Sequence, residues 1–252
     1  MSDELLQVAL AAALPAGSLL LERFREPATG LSAKTSRTDL VSDADRAAEQ
    51  LIAGAILDAR PGDALVAEEG AAADGDSGVR WFVDPLDGTI NFLWGVPHWC
   101  VSVAAYDGDG ALAGVVHDPN RGETFTAVRG GGARLDGAPI AVRPPTPLSE
   151  ALVATGFEYT AEARARQARL LTTVLPAVRD VRRFGAAALD LCWVAAGRFD
   201  GYFETGLKAW DRAAGEMIVR EAGGAVEDMA FDGVVAGHPA VVAGLRGLVA
   251  DG

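Results

Sequence analysis

One short stretch, residues 80–91, constrains this chain more than any other. Residues 81–83 are apolar and favour a buried strand, and the carboxylates Asp84 and Asp87 follow it at once. Pro85, between them, fixes its own φ and keeps the residue before it extended. The pattern predicts two acids held at the end of a rigid strand.

The residues that follow add the features of an anion site. Gly88 lets a ligand come close to the backbone, and a helix starting near Thr89 would point free N–H groups at an anion. Mg²⁺ prefers oxygen ligands and keeps positions open for substrate phosphate. The stretch therefore predicts a divalent-metal site that also receives a phosphate.

Further carboxylates lie at the predicted edges of other elements. Glu68 and Glu69 follow a short apolar run, Asp211 opens an Ala-rich helical segment, and the acidic stretch 39–45 precedes a second helix. Ligands from distant segments converge best when rigid elements carry them. Glu69 is expected to be a supporting or solvated group.

The overall composition excludes several classes of protein. Half of the residues are hydrophobic, which is enough for a packed core and excludes disorder. The formal net charge, 22 − 35 = −13, disfavours a nucleic-acid partner because phosphates would be repelled. The same repulsion means that a phosphorylated substrate needs bound cations at its site.

The cysteines and the N-terminus favour a protein of the reducing cytoplasm. Cys100 and Cys192 lie in apolar surroundings without metal-ligand spacing, so we expect two buried free thiols. No signal peptide is visible. Uninterrupted apolar runs stay far below about 20 residues, so we expect no membrane span.

The pattern of elements predicts a mixed α+β and α/β chain with two subdomains. The turn-rich stretch 144–147 divides residues 1–145, which carry most of the acids, from residues 146–252. Helices are expected at about 4–24, 42–59, 161–177, 186–196 and 211–222. Strands are expected at 65–68, 81–84, 100–106, 111–118, 124–128, 151–155, near 181 and at 201–204, with a loose loop at 71–78.

Five blocks of the sequence, in order, resemble the inositol monophosphatase family. Residues 84–89 resemble its first signature, and residues 210–215, followed by 221–224, resemble its second. The other blocks are 39–45, 67–70 and 185–192. A single short motif would be a weak signal, but five in order along residues 5–245 are a strong one.

The resemblance implies a fold, an activity and a cofactor. The expected fold is the five-layer αβαβα sandwich of the inositol monophosphatase and fructose-1,6-bisphosphatase type. The expected activity is a lithium-sensitive, Mg²⁺-dependent phosphomonoesterase that hydrolyses inositol 1-phosphate or a related polyol phosphate with a metal-activated water. Two or three Mg²⁺ ions per subunit and a homodimer are also implied.

The resemblance also assigns roles to residues. The metal ligands would be Glu68, Asp84, the Leu86 carbonyl, Asp87 and Asp211. The catalytic residues would be Asp45, Glu68 and Thr89, with the Thr89 hydroxyl oriented by Asp45 to position and deprotonate the water. The substrate would contact Asp87, Gly88, Thr89, Ala187, Glu204 and Asp211. Lys34 is expected to be solvated or ion-paired, with a mobile lid over the metals as the alternative.

Other substrates on the same scaffold remain open at this point. They are histidinol phosphate, fructose 1,6-bisphosphate and 3′-phosphoadenosine phosphates, and the leaving-group pocket decides among them. A more distant alternative is a non-catalytic regulatory protein that keeps the fold. The presence of every metal ligand argues against it, and the negative charge argues against RNA as its partner.

Overall fold

The structure, a computed structural model, describes residues 2–24, 26, 29–33 and 40–249. Within these residues the helices are α1 Ser2–Arg23, α2 Asp43–Ala59, α3 Thr89–Leu93, α4 Ala161–Val174, α5 Ala187–Ala195, α6 Ala209–Glu221 and α7 Pro239–Val249, with a 3₁₀ turn at Leu148–Glu150.

Fifteen strands are found in the same described residues. They are β1 Ser32–Ala33, β2 Leu40–Val41, β3 Ala64–Ala67, β4 Ala72–Ala73, β5 Arg80–Asp87, β6 Cys100–Asp107, β7 Gly110–Asp118, β8 Glu123–Val128, β9 Gly132–Leu135, β10 Ala138–Pro139, β11 Leu152–Thr155, β12 Asp180–Arg182, β13 Gly201–Glu204, β14 Ala225–Met229 and β15 Gly233–Gly237.

Five layers of alternating helix and sheet form the body of the molecule, which confirms the predicted sandwich. The order is α1 and α2, an eight-stranded sheet, α5 and α6, a five-stranded sheet, then α4 and α7. The large sheet has the order β10-β9-β8-β7-β6-β5-β3-β4, and the small one β12-β11-β13-β15-β14. Because α5 and α6 are covered on both sides, most of their side chains are buried.

Local signals mark the starts of two helices, of which α2 was predicted to begin at about residue 42. Ser42 caps α2, since its hydroxyl accepts the N–H of Ala44 while Asp45 accepts the N–H of Ser42. At α3 the cap is Gly88 with φ of 92°, a left-handed conformation that favours glycine. Both helices begin beside residues with predicted catalytic roles.

Several predicted elements differ from the observed ones. Strand β5 continues through Asp87 instead of ending at Asp84, and the loop predicted at 71–78 contains β4, which pairs with β3. Helix α6 begins at Ala209, so Asp211 lies in its first turn. The C-terminal half is not a simple α/β alternation, because β15 pairs antiparallel with both β13 and β14. The division into residues 1–145 and 146–252 stays a prediction.

The first helix has the length and apolar composition that a membrane span needs, contrary to the expectation from uninterrupted apolar runs. Its mean hydropathy is 1.7. The side chains of Leu5, Ala9, Ala16 and Leu20 are, however, completely buried in the core of this molecule. A core helix of a soluble protein passes the same test, so the feature is weak evidence for a membrane.

The prediction for the two thiols is confirmed. Cys100 and Cys192 are both free and have no exposed surface. They belong to the same core cluster, which is formed by the large sheet, the central helices α5 and α6, and the small sheet.

Candidate active site

A cavity of about 520 Å³ lies where the ends of β3 and β5 face α5, α6 and the end of β13. Nine of the residues assigned to the site from sequence line it: Glu68, Asp84, Leu86, Asp87, Gly88, Thr89, Ala187, Glu204 and Asp211. Segments more than 100 residues apart in sequence therefore meet at one place.

A bulge in β5 turns the two aspartates of the first motif to the same side. Between Asp84 and Asp87 the strand advances three residues, while its partner β6 advances two, from Ser102 to Cys100. Residues three apart on a regular strand point to opposite faces. Pro85, which has no N–H to donate, lies inside this irregularity. The bulge explains how both carboxylates reach one cavity.

Asp84 and Leu86 are joined by a short-range hydrogen bond. The Asp84 carboxylate is 2% exposed and accepts the backbone N–H of Leu86 at 3.0 Å. Burial raises the pKa of Asp84 well above its usual value, and the charges of Glu68, Asp87 and Asp211 raise it further. This acid faces three others across a small volume.

Asp87 caps a helix that belongs to the other half of the chain. Its two carboxylate oxygens accept the N–H groups of Ala187 at 3.2 Å and Ala188 at 2.7 Å. The residue at the cap position of α5, Ala186, has no side chain able to do this. Burial raises the pKa of Asp87 to about 7, although the Ala188 N–H opposes the shift. The Asp87 carboxylate therefore joins β5 to α5.

The Thr89 hydroxyl lies between two acceptors. Its oxygen is 3.1 Å from Asp45 Oδ1 and 3.0 Å from the Leu86 carbonyl. One hydroxyl proton serves only one of them at a time. If the Leu86 carbonyl binds a cation, the hydroxyl is left to donate to Asp45, which is fully buried on the first turn of α2. The other Asp45 oxygen accepts the N–H of Ser42 at 2.9 Å.

Gly88 occupies a position where only glycine fits. A Cβ there would lie 3.0 Å from the His98 carbonyl and 3.1 Å from the Trp99 Cβ, in addition to the strain of a positive φ. This close packing fixes the start of α3, where Gly88 and Thr89 line the cavity.

The turn that carries Glu68 is fixed by a buried acid that the sequence analysis did not single out. Glu49 on α2 accepts the N–H groups of Glu69 at 2.6 Å and Ala71 at 2.8 Å. It lies four residues after Asp45, on the same face of the helix, and is 5% exposed. That spacing of two acids is a signal that would have found it.

Asp211 enters the cavity from the first turn of α6. Its carboxylate accepts the N–H of Lys208 at 2.6 Å. Burial raises the pKa of Asp211 to about 8, and the charge of Glu68 adds to the shift. This hydrogen bond to the Lys208 N–H fixes the direction in which the Asp211 carboxylate points.

Glu204 forms the far wall of the cavity, at the end of β13. It accepts the hydroxyl of Tyr202 at 2.6 Å, and burial raises its pKa to about 8. A Cβ on Gly156 would collide with this carboxylate, so the neighbouring loop approaches it closely. Arg183 also lines the cavity, with its guanidinium 5.7 Å from the ring of Phe157.

The donor set fits a hard divalent cation. Four carboxylates and one backbone carbonyl face a common volume, and all are oxygen ligands. The charge of Glu68 raises the pKa of Asp84, Asp87 and Asp211, a repulsion that a cation would relieve. Across the described part of the chain, no three acidic, histidine or cysteine side chains already form a compact metal cluster.

Two positions considered from sequence, Asp39 and Lys34, lie outside the described residues. Asp45 does not line the cavity and lies behind Thr89. The N–H of Ala187 is occupied by Asp87, so this residue can offer substrate its surface but not that donor. Asp87 caps α5 by accepting the N–H of Ala187, which lies 100 positions further along the chain. No local pattern predicts such a contact.

This chain resembles known proteins along nearly its whole length. The family model described as inositol monophosphatase family matches residues 1–251. A curated relative, "Nus factor SuhB" of Pasteurella multocida, is 41% identical over 244 residues, which is 96% of this chain and 90% of the relative.

Two solved structures extend the similarity to the fold. The extragenic suppressor protein suhB of Bartonella henselae has a TM-score of 0.93 at 38% identity, covering 98% of this chain and 99% of that one. The inositol monophosphatase of Anabaena has a TM-score of 0.85 at 31% identity, covering 98% and 95%. The chain belongs to the inositol monophosphatase family.

Proposed function

We propose that this protein is a Mg²⁺-dependent phosphomonoesterase that hydrolyses inositol 1-phosphate or a related small polyol phosphate. The observation that carries the proposal is the convergence of Glu68, Asp84, Asp87 and Asp211 on one cavity beside the Thr89 hydroxyl. Family membership supports the phosphatase activity, and the cavity supports its dependence on a metal.

The acids divide into two sets of ligands. Glu68, Asp84 and the Leu86 carbonyl would hold one ion, and Asp84, Asp87 and Asp211 a second, with Asp84 shared. A third ion would be bound weakly near Glu68. Bound Mg²⁺ supplies positive charge to the phosphate and the leaving alkoxide, and lowers the pKa of water.

The chain's own groups orient the nucleophile. A water beside Thr89 donates a proton to its hydroxyl oxygen while that hydroxyl donates to Asp45, which is held in place by Ser42. Glu68, on the turn fixed by Glu49, is the further acid beside this water. The N–H groups of Gly88 and Thr89, at the start of α3, bind the phosphate oxygens.

The leaving alcohol lies on the side of the cavity opposite β5. Glu204 accepts hydrogen bonds from its hydroxyl groups, and Ala187 forms part of the surface beneath it. A polyol suits a wall of this kind because its neighbouring hydroxyls satisfy carboxylates without adding charge.

Phosphate release from a panel of esters tests the proposal. The panel contains inositol 1-phosphate, histidinol phosphate, fructose 1,6-bisphosphate and 3′-phosphoadenosine 5′-phosphate, each with Mg²⁺ and with EDTA. Release from inositol 1-phosphate that EDTA abolishes is the expected result. A different winner would correct the substrate, and release that persists in EDTA would overturn the metal assignment.

Three further properties belong to the proposal. Li⁺ at roughly tens of millimolar should inhibit by displacing the weaker Mg²⁺. The protein should be a cytoplasmic homodimer, since dimers are the commonest closed assembly. Inhibition curves with Li⁺ against K⁺, and a molar mass from light scattering, test the first and the last of these.

A second candidate function is suggested by the names of the curated relatives. Several of them, at 40–42% identity, are Nus factors. A protein-binding role in transcription is compatible with an intact catalytic cavity, so the two functions do not exclude each other. An antitermination assay with wild-type protein and with Asp87→Asn separates them. Activity retained by the variant would assign that role to a surface outside the cavity.

A further inference from the structure

A second cavity of about 360 Å³ lies beside the first, on the other side of the segment that leads into α6. Leu207 lines both cavities. Beyond it, Lys208 and Asp211 face the catalytic cavity, while Arg212 faces the second one. One short segment therefore forms the wall between them.

Two aromatic rings form the apolar side of the second cavity. Phe82 of β5 and Tyr106 of β6 meet edge to face, with ring centroids 5.3 Å apart. Both are only half-buried, although they lie on the sheet face that the central helices cover elsewhere. The Tyr106 hydroxyl donates to the Ala213 carbonyl at 3.0 Å, which fixes its ring. These partly exposed rings suit an apolar group or a cation.

The charges around these rings leave one carboxylate uncompensated. The Arg212 guanidinium is already paired with Glu216 and Asp228. Asp232, at the turn between β14 and β15, lines the rim of the cavity; it is exposed to solvent, and no hydrogen bond or ion pair of its carboxylate is found within the described residues. The net charge of the lining is therefore negative, from two acids and one arginine.

A chain of hydrogen bonds connects that turn to the catalytic cavity. The Asp232 carbonyl accepts the N–H of Leu207 at 3.1 Å, and the Phe231 carbonyl accepts the N–H of Gly206 at 2.7 Å. The next residue, Lys208, donates its N–H to Asp211 at 2.6 Å. A displacement of the turn would move the segment that aims Asp211.

We propose that the second cavity binds small organic cations of the arylalkylamine type and that their binding alters turnover in the catalytic cavity. The ring lies on Phe82 and Tyr106, and the ammonium group pairs with Asp232. The effect on turnover passes through Leu207 to Asp211, and only this part rests on the proposed phosphatase function.

Three probes that differ in their polar end test the binding. Phenethylammonium, 2-phenylethanol and 3-phenylpropionate are titrated by calorimetry into the full chain in Mg²⁺. The cation should bind with a Kd of about 1 mM or tighter. The alcohol should bind at least about tenfold more weakly, and the carboxylate not at all. Equal binding of all three, or no saturable binding of the cation, would overturn the proposal.

The variant Asp232→Asn identifies the site. Asp232 has φ of 51°, a conformation that Asn tolerates well, so the turn should be preserved. Affinity for phenethylammonium should fall about tenfold or more, as expected for removing a charged hydrogen-bond partner. The exposed acid Asp74, changed to Asn, serves as the matched control and should leave affinity unchanged. Wild-type affinity in Asp232→Asn would contradict the assignment.

Phosphate release gives the second readout. In wild-type protein, phenethylammonium should change the rate with the midpoint found by calorimetry, and the effect should be lost in Asp232→Asn. Saturable binding without any change in rate would refute the coupling. Asp232-dependent binding in a protein that releases no phosphate from any ester would keep the cation site and reject the phosphatase function.

Discussion

The two sides of the candidate catalytic cavity are built in different ways. On the side of β5 and α2, Asp84, Asp87 and Asp45 are each buried and bonded to backbone N–H groups. On the opposite side, the wall consists of the end of β13 and the loops 156–160 and 205–208. The first side has little freedom to move, because its groups are held within regular elements. We infer that the β5 side performs the reaction and the loop side selects the alcohol.

The largest expected effect comes from Asp87→Asn. This change removes a charged ligand while keeping the shape and one oxygen to cap α5. Turnover should fall by about a thousandfold or more, at the upper end of what removal of one preorganised group costs. Steady-state phosphate release measures it. Asp58→Asn, on the exposed surface of α2, is the control for charge alone. Activity within tenfold of wild type would remove Asp87 from the reacting side.

A smaller loss is expected at the hydroxyl relay. Thr89→Ala removes the group that joins the nucleophile to Asp45, so kcat should fall about a hundredfold, in the range for lost general-base assistance, with little change in KM. Thr89→Ser keeps the hydroxyl and should recover most of the rate. If kcat of Thr89→Ser is as low as that of Thr89→Ala, the Thr89 hydroxyl has no role in the reaction. The β5 side would then not be distinguished from the loop side by this group.

The stability of the metal-free protein should depend on pH in a defined direction. The pKa of Asp87 is raised from 3.8 to about 7, that of Asp211 from 3.8 to about 8, and that of Glu204 from 4.5 to about 8. The folded state then holds these protons more tightly than the unfolded chain. The stability that these three groups contribute is therefore fully present below about pH 4 and is lost as the pH rises through about 7 to 8.

Mg²⁺ should reverse this loss. At a free concentration 100 times its Kd, one ion adds about 2.7 kcal/mol to the free energy of unfolding. Denaturant unfolding at pH 5 and pH 8, with EDTA and with Mg²⁺, measures both effects.

Asp84→Asn should be more stable than wild type in EDTA at pH 8, because one of the repelling charges is gone. A variant less stable than wild type there would show that the repulsion is unimportant.

The smallest effect is expected on the loop side. Glu204→Gln replaces one acceptor oxygen for substrate hydroxyls with an amide donor, so kcat/KM for inositol 1-phosphate should fall about tenfold, mostly through KM. A simple aryl phosphate without such hydroxyls is the matched substrate and should be hydrolysed as before. An equal loss on both substrates would place Glu204 with the reacting groups and erase the distinction between the two sides.

The predictability of the site follows the same division. The bonds around Asp84 and Ser42 lie within a few residues, so local patterns predicted the strand that leads into the aspartates and the start of α2 at about residue 42. The five-layer fold came from the family resemblance rather than from these patterns. The bulge in β5 was not predicted, because it depends on the register with β6.

Interactions between distant segments were beyond local reasoning. The capping of α5 by Asp87 and the fixing of the Glu68 turn by Glu49 each join separate elements. Strands β14 and β15 and helix α7 were also missed, since the alternation of strands and helices expected for this half breaks where β15 runs antiparallel to β13.

Anomalous diffraction from crystals grown with Mn²⁺ and inorganic phosphate would show whether the four carboxylates of the cavity hold metal ions. Mn²⁺ replaces Mg²⁺ at oxygen sites and is located by its own signal. We expect one ion among Glu68, Asp84 and the Leu86 carbonyl and another among Asp84, Asp87 and Asp211, with phosphate at the start of α3. Crystals of a Mn²⁺-active enzyme that hold the ion elsewhere, or leave these carboxylates without one, would contradict it.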